Sequence, residues 1–316
     1  MKKLVMTGPG KSTVVDVEQP IPQKGEILVK IRYCGVCMSE HDDFLTAAKG
    51  RTFGHEAMGV VAALGPETDK FKIGDRVTGL GLEAFAEYGV FKESNLILVP
   101  SNVADEDATV EPLSCLVSAL SKIPVDLPGG VAAVIGAGYM GLGFISLLKL
   151  KGVKDIIAVD IREEALENAK KFGATQCYLP EDLPKEYVAD WDDIYGGGLD
   201  LVCEWAGTEE ALNLAGKMTK IDGLLAIGGY HTGGARKVDV QLWNVKALTV
   251  LSTHERKDDF QMFCAQRAMD LLSSGQWDYK NLNTKIYTLR EFDLAQEEIM
   301  TKPNNMIKAL VDCTKW

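Results

Sequence analysis

Between Glu26 and Arg32 the chain places Ile27, Val29 and Ile31 on one face. That period of two marks a strand with one side in a core. Residues 59–65, 75–77 and 85–91 are further short segments bounded by turn residues, and Thr13, Val14, Val15 and Val17 make a β-branched run. Strands at this spacing over roughly the first 120 residues predict a compact barrel or sandwich. From Gly129 the rhythm lengthens. Residues 131–135 predict a buried strand and 139–151 a helix closed by Gly152; 155–160 predict a second strand. Residues 162–172 predict a helix with Ala165, Leu166, Ala169 and Phe172 on one face, ended by Gly173. Apolar runs at 199–203, 224–227 and 248–252 continue the alternation, which predicts an α/β fold with a parallel sheet covered by helices. Beyond it, Phe260, Phe263, Cys264, Ala268, Leu271 and Leu272 form a helical apolar stripe.

One stretch imitates a membrane span. Leu127 to Leu148 carries no charge, but Gly129, Gly130, Gly136, Gly138, Gly141 and Gly143 divide it into strand, turn and helix. The opening Met1–Met6 is too short for a signal-peptide core. A chain of 316 residues, 46% hydrophobic and 25% charged, suits two soluble domains. Its net charge of −11, without a basic cluster, argues against a nucleic-acid partner. Seven cysteines at irregular spacing argue against a disulfide framework and fit a reducing cytoplasm.

Gly136-Ala137-Gly138-Tyr139-Met140-Gly141 follows a strand and opens a helix. In that setting the first glycine makes the turn, the second admits a pyrophosphate against the backbone, and the third lets helix and strand pack closely. Gly136, Gly138, Tyr139, Met140 and Gly141 therefore become candidates for binding a dinucleotide at a helix N-terminus. Asp160 ends the next strand, 19 residues beyond Gly141, and is followed by Ile161 and Arg162. A carboxylate there accepts from ribose hydroxyls and repels a 2′-phosphate, which favours NAD over NADP, although Arg162 works the other way. Gly10-Lys11-Ser12 resembles the end of a P-loop, but Val5 stands where that motif needs glycine and a strand-like run follows.

The first domain carries Cys34-Gly35-Val36-Cys37-Met38-Ser39-Glu40-His41, then Gly54-His55-Glu56, then Glu111-Pro112-Leu113. A lone Cys-x-x-Cys is open to a redox dithiol or half a zinc ribbon, and no second pair exists to complete a ribbon. Taken with Gly-Asp-Arg-Val at 74–77, Phe-Ala-Glu-Tyr at 85–88, the glycine turn and Glu204-Trp205-Ala206-Gly207, the order resembles the zinc-containing medium-chain dehydrogenases. The sorbitol, glucose and threonine dehydrogenase branch is the nearest in pattern.

That resemblance implies a GroES-like barrel domain over 1–122 and 261–316, interrupted by a Rossmann cofactor domain over 123–260. It implies Cys37, His55 and Glu56 at a catalytic zinc, with Glu111 as a further ligand or one acting through water. Such a set leaves an open corner for an alcohol oxygen. It also implies one zinc per chain, since 78–84 run on without the cysteine-bearing structural lobe of many relatives. Ser39 matches the residue that takes the substrate proton. The relay histidine of the family falls where Asp42 stands, and His41 is one position early, so the relay is open between His41, Asp42 and exit through water. Glu56 is counted with Ser39 and His41 among the catalytic residues. The resemblance implies NAD-linked oxidation of a secondary alcohol (a polyol, sugar, cyclitol or hydroxy amino acid) by a homodimer or homotetramer. His254, Glu255 and Arg256 follow the last sheet strand, near where the resemblance puts the nicotinamide. Two other readings stand beside it: a metal-free NADPH-dependent quinone or enone reductase, and a nucleotide-sensing protein without turnover.

Overall fold

The computed structural model describes residues 1–124 and 129–316. In chain order the strands are β1 (Lys2–Gly8), β2 (Lys11–Asp16), β3 (Glu26–Gly35), β4 (Glu56–Leu64), β5 (Arg76–Gly79), β6 (Tyr88–Lys92), β7 (Leu96–Leu98), β8 (Val131–Ile135), β9 (Asp155–Val159), β10 (Gln176–Tyr178), β11 (Leu199–Glu204), β12 (Thr219–Ile227), β13 (Thr249–Ser252), β14 (Thr284–Thr288) and β15 (Lys308–Asp312). The helices are α1 (His41–Thr46), α2 (Val110–Lys122), α3 (Tyr139–Leu150), α4 (Glu163–Phe172), α5 (Glu209–Met218), α6 (Val240–Val245), α7 (Asp258–Ser273) and α8 (Phe292–Thr301). They divide between two compact units, one of residues 1–115, 256–276 and 280–316, the other of residues 116–255 and 277–279.

The first unit is built on a sheet in the order β14-β15-β3-β4-β5-β7, with β6 also paired to β3 and a separate β1-β2 hairpin. Its longest strand, β3, buries Leu28 as well as Ile27, Val29 and Ile31, because β4 and β6 both pair with it. The end of the chain returns to this sheet, where β15 pairs antiparallel with β3 through Leu310↔Gly35 and Val311↔Cys34. Phe292, at the start of α8, anchors the core, its ring centroid 4.7 Å from that of Phe85 and 5.7 Å from that of Phe44.

Two expectations shift here. The run 85–91 is not one strand: Phe85 and Ala86 meet the β1 edge, and only β6 pairs with β3. The helix α7 forms, but rotated from the expected stripe. It buries Met262, Ala265 and Met269 with Cys264, Ala268 and Leu272, while Phe263 is 65% exposed and stacks on Phe260. Methionine fills an inner ridge as well as phenylalanine would, so apolarity alone could not fix which flank turned inward.

The second unit is a six-stranded, all-parallel sheet in the order β10-β9-β8-β11-β12-β13. Its inner strands β8, β9 and β11 are near-continuous buried runs, as strands covered on both faces require, while the outer β10 and β13 are partly or largely exposed. The strand order reverses between β8 and β11. Of the uncharged run, Leu127 and Pro128 lie outside the described residues; the rest folds as β8, the glycine turn and α3. Among the described residues no helix is long and apolar enough to cross a membrane.

Candidate active site

Donor atoms of Cys37, His55 and Glu56 lie within 4.8 Å of one another. Cys37 stands just past the end of β3, in extended backbone ahead of a short turn over Met38–Glu40. His55 and Glu56 come from the loop before β4 and its first residue, and Glu56 pairs with Gly35 across the sheet. This register requires glycine opposite: a Cβ on Gly35 would stand 1.8 Å from Glu56 Oε2. The bare backbone is what lets the carboxylate lie over β3 toward Cys37.

Second contacts fix each donor. His55 Nδ1–H donates to Glu40 Oε1 at 2.9 Å, and Gly54 N–H donates to the same oxygen at 2.9 Å. The other ring nitrogen is thereby left to face an ion, the arrangement that orients metal-binding histidines. Glu56 is 1% exposed; its Oε2 takes the ammonium of Lys308 at 2.5 Å, and its Oε1 is buried without a partner. Burial works against a proton on His55, but Cys37 and Glu40 push its pKa up to about 12. Burial likewise opposes the Lys308 charge, and Glu56 and Cys37 override it, raising its pKa. The pocket therefore draws positive charge, holds an unsatisfied carboxylate oxygen, and offers a thiolate, an imidazole and a carboxylate, the donor chemistry of zinc with one position open. The residues fit that ion.

Glu111, in the first turn of α2, falls outside the group of three. Its charge is felt there: burial raises its carboxyl pKa, His55 lowers it, and Glu56 raises it again. Its Oε1 accepts Cys115 Sγ–H at 3.4 Å and Gln261 Nε2–H at 3.4 Å. Ser39 Oγ–H donates to Cys37 Sγ at 3.2 Å, which puts the hydroxyl beside the donor cluster. His41 is turned elsewhere. Its Nδ1–H donates to buried Gln296 on α8 at 3.2 Å, and its ring lines a surface pocket with Asp293 and Glu297. Asp42 gives its backbone carbonyl to Thr46 Oγ1.

The glycine turn sits at the start of α3 in the second unit. A Cβ on Gly141 would come 1.7 Å from Gly136 O, so helix and turn close only because that side chain is missing. Gly138, Tyr139 and Met140 are partly exposed between buried neighbours, leaving the helix N-terminus reachable. Asp160, 8% exposed, accepts Ala137 N–H at 2.7 Å and Arg162 N–H at 2.9 Å. The Arg162 guanidinium also reaches it, at 3.2 Å through Nε, while Ile161 points to solvent.

Sequence reasoning assigned no role to Lys308, Glu40 or Gln261. A lysine inside the apolar run Ile307-Lys308-Ala309-Leu310-Val311 was a readable signal, since a buried charge needs a partner. Glu40 lay within the quoted cysteine motif; Gln261 carried no signal at all.

Residues 23–101 match the alcohol dehydrogenase GroES-like domain family, and residues 140–273 the zinc-binding dehydrogenase family. The chain belongs to the zinc-binding medium-chain dehydrogenases. Within them it stands with the sorbitol branch. It is 26% identical over 337 residues to D-arabinitol dehydrogenase 1 of Uromyces fabae, covering 96% of this chain and 95% of that one. It is 25% identical over 350 residues to sorbitol dehydrogenase of Bacillus subtilis (strain 168), covering 98% and 97%. A crystal structure from Sinorhizobium meliloti 1021, described as a zinc-binding dehydrogenase bound to NADP, shares the fold with a TM-score of 0.82 at 23% identity, over 98% of each chain.

Proposed function

We propose that this protein oxidises a secondary alcohol of the polyol or sugar type to a ketone, reversibly, with NAD as hydride acceptor and one zinc held by Cys37, His55 and Glu56. The convergence of those three donors, with Glu56 Oε1 left unpartnered, carries the reading. It also weighs against a metal-free enone reductase, which has no use for such a cluster. A zinc bound there would polarise an alcohol oxygen and lower its pKa, and a nicotinamide would take the hydride. The chain's own residues supply the rest. Glu40 fixes the His55 ring, Lys308 balances Glu56, and Glu111 completes the site directly or through water. Ser39, beside Cys37, receives the hydroxyl proton. His41 donates to Gln296 instead of lying in the cluster, so in our reading it takes no part in proton exit except through that glutamine.

Asp160 supports NAD through its two acceptor oxygens, and Arg162 tempers the preference without reversing it. No disulfide joins any of the seven cysteines, which suits a reducing cytoplasm. The outer strand β13 exposes Thr249, Val250 and Ser252 together with an unpaired edge, and we place a homodimer contact there. The decisive experiment is metal analysis of purified protein alongside turnover of a polyol panel with NAD and with NADP. About one zinc per chain and chelator-sensitive, NAD-dependent oxidation are expected. Turnover that survives complete zinc removal would end the proposal.

A further inference from the structure

Glu204 ends β11 and is fully buried. Its carbonyl accepts Gly228 N–H at 2.8 Å and Gly229 N–H at 2.9 Å. Its carboxylate accepts Gly207 N–H at 2.6 Å and faces His231 Nε2 at 3.0 Å. The turns after β11 and β12 are thus tied to one side chain. The same knot abuts the glycine turn: Trp205 N–H donates to Ile135 O at 2.7 Å, and a Cβ on Gly136 would stand 2.6 Å from Ala206 N.

A doubly wound sheet takes its ligand outside the carboxyl ends of the strands, where the strand order reverses. Here that is between β8 and β11. With Asp160 at the end of β9 on one side, the adenosine half falls there, and the other half of a dinucleotide crosses to the ends of β11 and β12. That is where Glu204 and His231 stand.

Among the described residues, six buried side-chain atoms lack a hydrogen-bond partner. Two of them, Glu40 Oε2 and Glu56 Oε1, are at the donor cluster. Three more, Trp205 Nε1, His231 Nδ1 and Arg236 Nε, belong to the turns after β11 and β12. Unsatisfied buried groups are rare enough in native proteins to need a reason, and a ligand from outside the chain is one. At His231 the chemistry is specific. Burial raises the Glu204 carboxyl pKa, and Gly207 N–H and His231 draw it back down. With the carboxylate accepting from both, Nε2 is the nitrogen that donates, and Nδ1, buried without a partner, is left as the acceptor of that tautomer.

We propose that His231 binds the nicotinamide half of the dinucleotide, accepting through Nδ1 a hydrogen bond from a ribose hydroxyl or the carboxamide N–H of that half. Glu204 is the positioning residue that sets the tautomer. The inference rests on the dinucleotide reading above and adds a contact to it.

The test is calorimetric titration of the full chain, wild type, His231→Ala and Glu204→Gln, with ADP, ADP-ribose and NADH. In Glu204→Gln the new amide N–H turns toward Nε2, the ring proton moves to Nδ1, and the acceptor is lost while the side-chain volume stays. Both variants are expected to bind NADH about tenfold more weakly, the worth of one hydrogen bond, and ADP within about twofold of wild type. A parallel loss with ADP-ribose assigns the donor to the ribose; retention assigns it to the carboxamide. NADH binding unchanged in both variants overturns the proposal. So does a loss of ADP binding as large as that of NADH, since that reports collapsed turns. A wild-type chain that binds none of the three fails at the dinucleotide reading itself, and this contact goes with it.

Discussion

Lys308 Nζ lies 2.5 Å from Glu56 Oε2, with side chains 8% and 1% exposed. A carboxylate of the proposed zinc site is thus neutralised from β15. The ammonium occupies Oε2 and leaves Oε1 buried without a partner. A buried pair of this kind is poor evidence of stability by itself, but breaking it leaves an uncompensated charge.

Lys308→Ala should therefore destabilise the metal-free protein by about 3–5 kcal/mol. Bound zinc supplies a replacement cation, so the deficit should shrink in the zinc-loaded protein. Chemical denaturation of both forms checks this. Equal deficits with and without zinc would show that Lys308 acts through packing alone.

Zinc uptake should depend on pH with a definite sign. His55 holds its proton across the neutral range, because Cys37 and Glu40 raise its pKa to about 12 against the effect of burial. That proton must leave when the ring becomes a ligand, so affinity rises with pH by about tenfold per unit for each proton expelled. Titration of zinc at pH 7 in buffers of different ionisation heat counts the protons. A count of zero would contradict the His55 assignment.

At the cofactor end, Asp160→Ala removes the acceptor and frees the Arg162 guanidinium that rests on it. The ratio of NADPH to NADH dissociation constants should fall by about tenfold, roughly the 1.4 kcal/mol of one charge-assisted contact. A ratio that does not move would place cofactor choice elsewhere.

The second unit was the more legible of the two. The predicted strand 131–135 and helix beginning at Tyr139 appear at those positions, because a Rossmann turn couples glycine spacing to element boundaries. Sequence distance hid more in the first unit. The donors Cys37, His55 and Glu56 stood in motifs, but nothing local tied Lys308 to Glu56 or Gln261 to Glu111. Those links are made by strand pairing and helix packing. His41 shows the opposite limit: its chemistry suited a relay, and only the fold reveals that its ring engages α8. The inner flank of α7 was misread because methionine and phenylalanine compete for burial on nearly equal terms. Trp277–Tyr279, a short return to the second unit in which Trp277 donates to Ser146 Oγ at 2.7 Å, had no periodic signal to announce it.

The pairing of β15 with β3 has a temporal side. Lys308 follows Glu56 by 252 residues. At ribosomal speeds, on the order of 10–50 s separate the two residues as they emerge. Through that interval Glu56 has no Lys308 to pair with and is open to protonation or to capture of a cation. Early zinc arrival would relieve that charge before the chain is finished, making metal supply during synthesis a determinant of how much protein matures.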